Sequence, residues 1–260
     1  MKIALIQNKI YWEDASKNIA HFSELITSIA EVDIVVLPEM FSSGFTMNSK
    51  KVAQTMSGDA VKWLKQTAQE LGVVIIGSLV ISEENKYFNR LIWADPSGSI
   101  KTYDKRHLFR MANENNFFTA GKERVIINYK GIRFCPLICY DLRFPVWSRN
   151  KGSNDNNPVY DCLIYVANWP EARTEAWKSL LQARAIENQA YVIGVNRVGS
   201  DDNGINYSGD SRCFSPKGER LDDFKSNEPQ IEIIEINMEQ LDEYRKKFPV
   251  SMDADSFTIE

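Results

Sequence analysis

Cys139 marks the point at which the stretch Gly131–Pro145 changes character. Before it, Ile132, Phe134, Leu137 and Ile138 form a short apolar run after a turn at Lys130–Gly131, the pattern of a buried strand. After it the chain reads Tyr140-Asp141-Leu142-Arg143-Phe144-Pro145, polar and helix- or strand-breaking. A thiol at such a junction can leave the sheet and face a cleft while its backbone stays anchored, so Cys139 reads as a nucleophile. The competing reading is a small core hydrophobe, the commoner fate of a free cysteine. What else arrives at strand ends must decide between them.

Two other reactive side chains occupy the same kind of position. Asp33–Leu37 is a continuous apolar strand that stops at Pro38 and delivers Glu39 just beyond it, ahead of Met40-Phe41-Ser42-Ser43-Gly44-Phe45. A carboxylate with such neighbours is partly desolvated, which makes it a better proton acceptor and a candidate general base. Lys105 follows the strand Ser99–Tyr103, although a lysine in that place is more often a solvated surface group. Glu114 sits in an aperiodic stretch, Arg110–Ala120, that reads as a loop.

The elements that must position these groups alternate strand and helix from the start. Lys2–Asn8 is a strand, and Asp14 can cap a helix from Ala15 to about Ala30. Asp59–Leu71 is a second helix with Val61, Leu64, Ala68 and Leu71 on one face and Gly72 as its stop. Val73–Val80 and Tyr87–Ala94 flank the turn Glu83-Glu84-Asn85-Lys86, and Arg124–Asn128 pairs with Ile132–Ile138 as another hairpin. Leu142–Arg149 is a short helical segment, and Asp161–Ala167 is a strand ending in Asn168-Trp169-Pro170. Thr174 caps a helix to about Gln189 with Trp177, Leu180, Leu181 and Ala185 inward. Strands Ala190–Asn196, Tyr207–Phe214 and Gln230–Ile236 follow, and Asn237 or Met238 opens a last helix that ends by Pro249. The pattern predicts an α/β fold with mixed sheets and ligands at strand ends.

Composition narrows the function classes. The 260 residues are 43% hydrophobic and 25% charged, without linker, repeat or low-complexity tract, so one domain over residues 1–260 is expected, with Gly152–Pro158 a surface loop. A net charge of −4 and a pI of about 5.5 argue against nucleic acid or an anionic membrane as partner. The apolar opening Met-Lys-Ile-Ala-Leu-Ile is too short for a signal peptide or a span, which makes the cytoplasm the expected location. Cys135 and Cys139 on one straight strand would stand ~13 Å apart at ~3.3 Å per residue, beyond the reach of a disulfide. With only His21 and His107 and no Cys-x-x-Cys pair, no metal site is expected, and no cofactor is called for. Cys162 and Cys213 lie inside strand patterns and read as core thiols.

Taken together, Leu37-Pro38-Glu39-Met40-Phe41, Tyr103-Asp104-Lys105-Arg106-His107-Leu108-Phe109 and Leu137-Ile138-Cys139-Tyr140-Asp141-Leu142-Arg143-Phe144-Pro145 resemble the nitrilase (carbon–nitrogen hydrolase) superfamily. The segment Gln182–Val192 does so too, and the likeness runs from the first strand to Pro249. Glu39–Phe45, Cys139–Pro145 and Ala167-Asn168-Trp169-Pro170 look most like the omega-amidase branch, whose members cleave the terminal amide of 2-oxo-dicarboxylic acid monoamides. Ala176 departs from that pattern, since relatives often carry histidine there.

The resemblance implies an αββα sandwich, two mixed sheets between helix layers in four layers, and a homodimer packed through helices after the nucleophile. It implies Glu39 as general base, Lys105 as oxyanion stabiliser and Cys139 as nucleophile. Glu114 would orient the lysine and the substrate amide, and the Tyr140 N–H would be the second oxyanion donor. A lysine about 4 Å from the thiol favours thiolate while two carboxylates oppose it, so titration belongs to the cluster. Asp141 and Arg143 are expected to pair and brace the turn. Phe41, Trp169 and Arg173 are candidates for the substrate pocket. A true nitrilase, a carbamoylase or a deaminated-glutathione-type amidase would use the same triad. A catalytically silent binding protein on this fold is disfavoured by the intact Glu39, Lys105 and Cys139.

Overall fold

The structure, a computed structural model, describes residues 1–151, 158–255 and 257, so the loop expected at Gly152–Pro158 lies outside them apart from Pro158. In β1 (Lys2–Gln7) alternate side chains divide between two cores: Ile3 and Leu5 face a second sheet, Ala4 and Ile6 face helices. Helix α1 (Ala15–Thr27) starts where the Asp14 carboxylate accepts the Lys17 N–H at 3.0 Å, and it buries Phe22 and Ile26. The strand β2 (Ile34–Val36) and the short α2 (Ser49–Val52) precede α3 (Asp59–Leu71), which Gly72 ends in the left-handed conformation. β3 (Val74–Glu83) and β4 (Lys86–Ala94) form the expected hairpin, and Glu84 and Asn85 supply the two positive φ angles of its tight turn. With β5 (Ile100–Asp104) they build a six-stranded sheet whose β1, β2 and β3 run parallel.

The second half of the chain repeats the arrangement. β6 (Ile127–Tyr129), β7 (Ile132–Ile138), β8 (Cys162–Ala167) and β9 (Tyr191–Asn196) lie side by side, the last three parallel. Between them come α4 (Pro145–Ser148) and α5 (Thr174–Asn188). The small hairpin β10 (Val198–Ser200) and β11 (Asn206–Ser208) stands apart from both sheets. β12 (Arg212–Phe214) completes the five-stranded sheet, β13 (Gln230–Glu235) returns to the edge of the first beside β1, and α6 (Met238–Lys247) follows. The sheets pack face to face, with the Trp93 and Phe134 rings 5.2 Å apart across the seam. α1 and α3 cover the outer face of the first sheet, and α5 packs on the second through Trp177, Leu181 and Ala185. Each fully buried Ile, Leu, Val or Phe in these seams contributes roughly 1.5–3 kcal/mol over its exposed state, so packing rather than local propensity holds the layers. The result is the αββα sandwich of two mixed sheets.

Four local expectations need correction. Leu71 is 42% exposed, because it is the last residue of α3 and the chain turns away beneath it. Thr174 does not cap α5, since a 3-10 turn at Glu171–Arg173 runs straight into the helix and the Thr174 hydroxyl donates to Asp210 instead. The strand expected at Arg124–Asn128 is shorter and later, Ile127–Tyr129, while Arg124 leaves the ladder to donate to the carbonyls of Trp147 and Arg149. The strand expected at Tyr207–Phe214 breaks into β11 and β12. Gly209 and Asp210 both adopt positive φ there, and a Cβ on Gly209 would fall 2.3 Å from the Gln7 side chain. Among the described residues no helix is long and apolar enough to cross a membrane.

Candidate active site

Glu39, Lys105, Glu114 and Cys139 arrive from four separate segments and meet at the strand ends. Glu39 follows β2, Lys105 follows β5, Cys139 follows β7, and Glu114 opens a 3-10 turn in the stretch read as a loop. Lys105 Nζ lies 2.9 Å from Glu39 Oε1 and 3.0 Å from Glu114 Oε1, and all three side chains are buried. The second oxygen of each carboxylate is held by backbone: Asn168 N–H donates to Glu39 Oε2 at 2.8 Å, and Phe109 N–H to Glu114 Oε2 at 2.6 Å. Asn89 Nδ2 donates to Glu39 Oε1 at 2.7 Å. The lysine face is completed by the Phe45 ring, 5.0 Å from Nζ.

Left-handed backbone occurs at Cys139 and beside Glu39. Cys139 has φ +43° and Met40, next to Glu39, has φ +44°. A non-glycine residue in this region costs on the order of 1–3 kcal/mol and persists only where its surroundings hold it. Met40 N–H is held by Ser78 Oγ at 2.8 Å. At Cys139 the left-handed turn ends β7 and starts a 3-10 segment, Cys139–Arg143, so the Tyr140 N–H lies in a first turn without an intrahelical acceptor.

Asp141 holds that turn against the lysine segment. Its buried carboxylate accepts from Ile138 N–H at 3.1 Å, Tyr103 Oη at 2.7 Å and His107 N–H at 2.9 Å, with His107 Nδ1 at 2.7 Å. Tyr103 and His107 flank Lys105 by two residues on either side, so one carboxylate ties the Cys139 turn to the lysine segment. The expected Asp141–Arg143 pair does not form. Arg143 turns the other way, its guanidinium 5.1 Å from the Trp169 ring in the cavity wall. Gly121 donates its N–H to the Lys105 carbonyl at 2.9 Å, and a Cβ there would stand 2.1 Å from the Asp104 carbonyl oxygen, so only glycine fits.

Electrostatics keep the cluster coupled. Burial, the Glu39 charge and a hydrogen bond to Glu39 push the Cys139 thiol well above its ordinary value, while Lys105 opposes them. Burial would lower the Lys105 ammonium, but Glu114 and Glu39 outweigh it and leave the net shift upward. Burial raises Glu114, Lys105 holds it back and Glu39 raises it further. Burial and the Glu39 charge thus favour the neutral thiol, against the pull of Lys105. The remaining cysteines are free thiols shut in the core, Cys135 being pushed up to about 12 by burial.

Cys139, Lys105, Tyr140, Asn168, Trp169 and Arg173 share the wall of a cavity of about 610 Å³, a volume that suits a small ligand. Arg173 stacks on Phe109 at 5.3 Å, as Arg143 does on Trp169. Phe41 does not reach the cavity. It lies in the turn after β2 and packs on the helix side of the first sheet, against Phe22 and Trp63, and Phe45 lines the pocket instead. Sequence reasoning gave Asn89 and Asn168 no role of their own and set Arg143 against Asp141 rather than in the pocket. Asn89 carried a signal, a lone amide inside the apolar strand β4 that a buried partner must satisfy.

The carbon–nitrogen hydrolase family pattern matches residues 2–246. The chain is 46% identical over 259 residues to the omega-amidase YafV of Escherichia coli (strain K12), covering 100% of this chain and 98% of that protein. It is 34% identical to the 2-oxoglutaramate amidase of Bacillus subtilis (strain 168), covering 95% of each. The crystal structure of XC1258 from Xanthomonas campestris, a CN-hydrolase superfamily protein, superposes with a TM-score of 0.96 at 41% identity, over 100% of this chain and 99% of that one. A family pattern spanning nearly the whole chain, on the same fold, means that this chain belongs to the carbon–nitrogen hydrolase family.

Proposed function

We propose that the chain, as one catalytic domain, hydrolyses the terminal amide of small ω-amido 2-oxo acids, with 2-oxoglutaramate and 2-oxosuccinamate the first choices. The carrying observation is the buried Glu39–Lys105–Glu114 cluster beside the Cys139 thiol, in a cavity walled by two arginines on aromatic faces. The names of the relatives above support the same substrate class.

An amide is a poor electrophile with a poor leaving group, so the site must activate a nucleophile, hold an oxyanion and protonate nitrogen. Glu39 takes the thiol proton as Cys139 Sγ attacks the amide carbon. Lys105 Nζ and the Tyr140 N–H hold the oxyanion. Glu39 returns the proton to nitrogen, the C–N bond breaks and ammonia leaves a thioester. Water then loses a proton to Glu39 and attacks the thioester. That proton passes to Sγ, releasing the dicarboxylate. Glu114 orients the lysine and the substrate amide. Arg143 or Arg173 reads the distal carboxylate by paired N–H donors, and Trp169 packs on the short chain between. The family resemblance supports a homodimer, and the cytoplasm is the proposed location.

Two measurements test this reading. Losing a group that a buried site is built to pair can cost 10⁴–10⁵ in kcat/KM. Butyramide, without the distal carboxylate, is therefore expected to be turned over far more slowly than 2-oxosuccinamate, followed as ammonia release. Equal values, or faster cleavage of a nitrile or carbamoyl compound, would leave only the broader hydrolase class. Asp141→Ala, in turn, strips the acceptor from two backbone N–H groups and a tyrosine hydroxyl, at about 1–3 kcal/mol for each buried group left unpaired. It also frees Cys139 to move relative to Lys105. A 1 Å misplacement costs about 10²-fold, so kcat should fall by that order in protein shown folded by urea titration. An unchanged kcat would mean that the tie is idle.

A further inference from the structure

Asn168 sits beside Glu39 with its side-chain amide half used. Its Nδ2 donates to the Glu39 carbonyl oxygen, a partner that can only accept, so the amide orientation is settled and Oδ1 is the remaining atom. That oxygen has no hydrogen-bond partner, although the residue is only 3% exposed and lines the cavity with Cys139 and Lys105. A buried acceptor left unpaired is destabilising, and such atoms are rare in folded proteins. Among the neighbouring donors, Asn89 Nδ2 and the Asn168 N–H are given to Glu39, and Lys105 Nζ gives two of its three N–H groups to Glu39 and Glu114 and turns the third to the oxyanion. The donor must come from the cavity.

The geometry points to Asn168 Oδ1 as the acceptor for an N–H of the scissile amide, a contact carried into the tetrahedral intermediate and kept by departing ammonia. This rests on the amidase reading above and deepens it. A primary amide nitrogen carries two N–H donors. A nitrile nitrogen and an ester oxygen carry none. An acceptor fixed beside the general base therefore selects the amide over the nitrile and the ester of the same acid, a discrimination that triad and oxyanion donors do not provide.

The test compares kcat/KM for 2-oxoglutaramate with that for the ω-methyl ester of 2-oxoglutarate, in parent protein, Asn168→Ala and Asn168→Ser. Folding of each variant is checked by thermal unfolding, and the serine variant stands in if alanine does not fold. Loss of the contact leaves a substrate N–H unpaired, so the amide value should fall about 10- to 100-fold. The ester should fall much less, reducing the amide-to-ester ratio about tenfold or more. A parallel fall for both substrates would show that Asn168 acts only by placing Glu39 or water, and no fall would show that it does neither. Either result overturns the inference while leaving the amidase reading intact. A parent protein that hydrolyses neither compound would overturn both.

Discussion

Cys139→Ala is expected to remove turnover, by roughly 10⁶ in kcat, the order lost when a hydrolase triad loses its nucleophile. The fold should survive. Cys139 is held at φ +43° by the end of β7 and by the Asp141 contacts of the following turn, and alanine in that conformation is no worse than cysteine. The other thiols provide the contrast. Cys162 and Cys213 are fully buried in β8 and β12, and truncating either to alanine should cost on the order of 1 kcal/mol and a few degrees in Tm, with kcat unchanged. Ammonia release and thermal unfolding on the three variants separate the two roles. Full turnover by a folded Cys139→Ala protein would end the thioester mechanism.

Lys105→Met should lower kcat by 10²–10³, the usual loss for one oxyanion donor, or more, because this lysine also organises the site. Among the described residues Nζ is the one cation paired with both Glu39 and Glu114, and both carboxylates are buried. Breaking a buried pair by removing one partner costs about 3–5 kcal/mol, since an uncompensated charge stays behind. The loss should depend on pH. Glu114 already titrates above its ordinary value through burial, and without the lysine it rises further. A carboxyl raised in the folded state contributes stability below its unfolded value and loses it as pH rises through the folded one. The variant's deficit should therefore shrink on acidification and grow toward neutral pH, read as the urea midpoint at several pH values. A deficit independent of pH, with kcat unchanged, would mark Lys105 as a structural residue with no part in the chemistry.

The strand-end logic carried most of the site. The first residue past a strand end is released from the sheet: Glu39 follows the stop at Pro38, Lys105 comes directly after β5, and Cys139 directly after the apolar β7 with the polar residues beyond it. The same local signals located α3, the β3–β4 hairpin and the Asn237 cap of α6, because helix period, turn residues and caps act over a few neighbours. Long-range partners were not legible in that way. The Tyr207–Phe214 strand broke at Gly209 because Gln7, two hundred residues away, occupies the adjoining space. Phe41 went to the helix side of its sheet, where Phe22 and Trp63 bury it, and the exposed Arg143 turned to the Trp169 ring because the Asp141 carboxylate is already taken by Tyr103, His107 and Ile138.

By itself, then, the sequence determined which groups could react, in what order along the chain, and on what class of scaffold. Periodicity and breaking residues encode those features locally. Only the tertiary structure decided that one ammonium bridges two buried carboxylates, that Asp141 ties the cysteine turn to the lysine segment, and that Asn168 offers an unpaired oxygen beside the base. Each of these joins residues from different elements. Their distances are set by how two sheets settle against each other, a balance of packing summed over the whole core that no short stretch of chain contains.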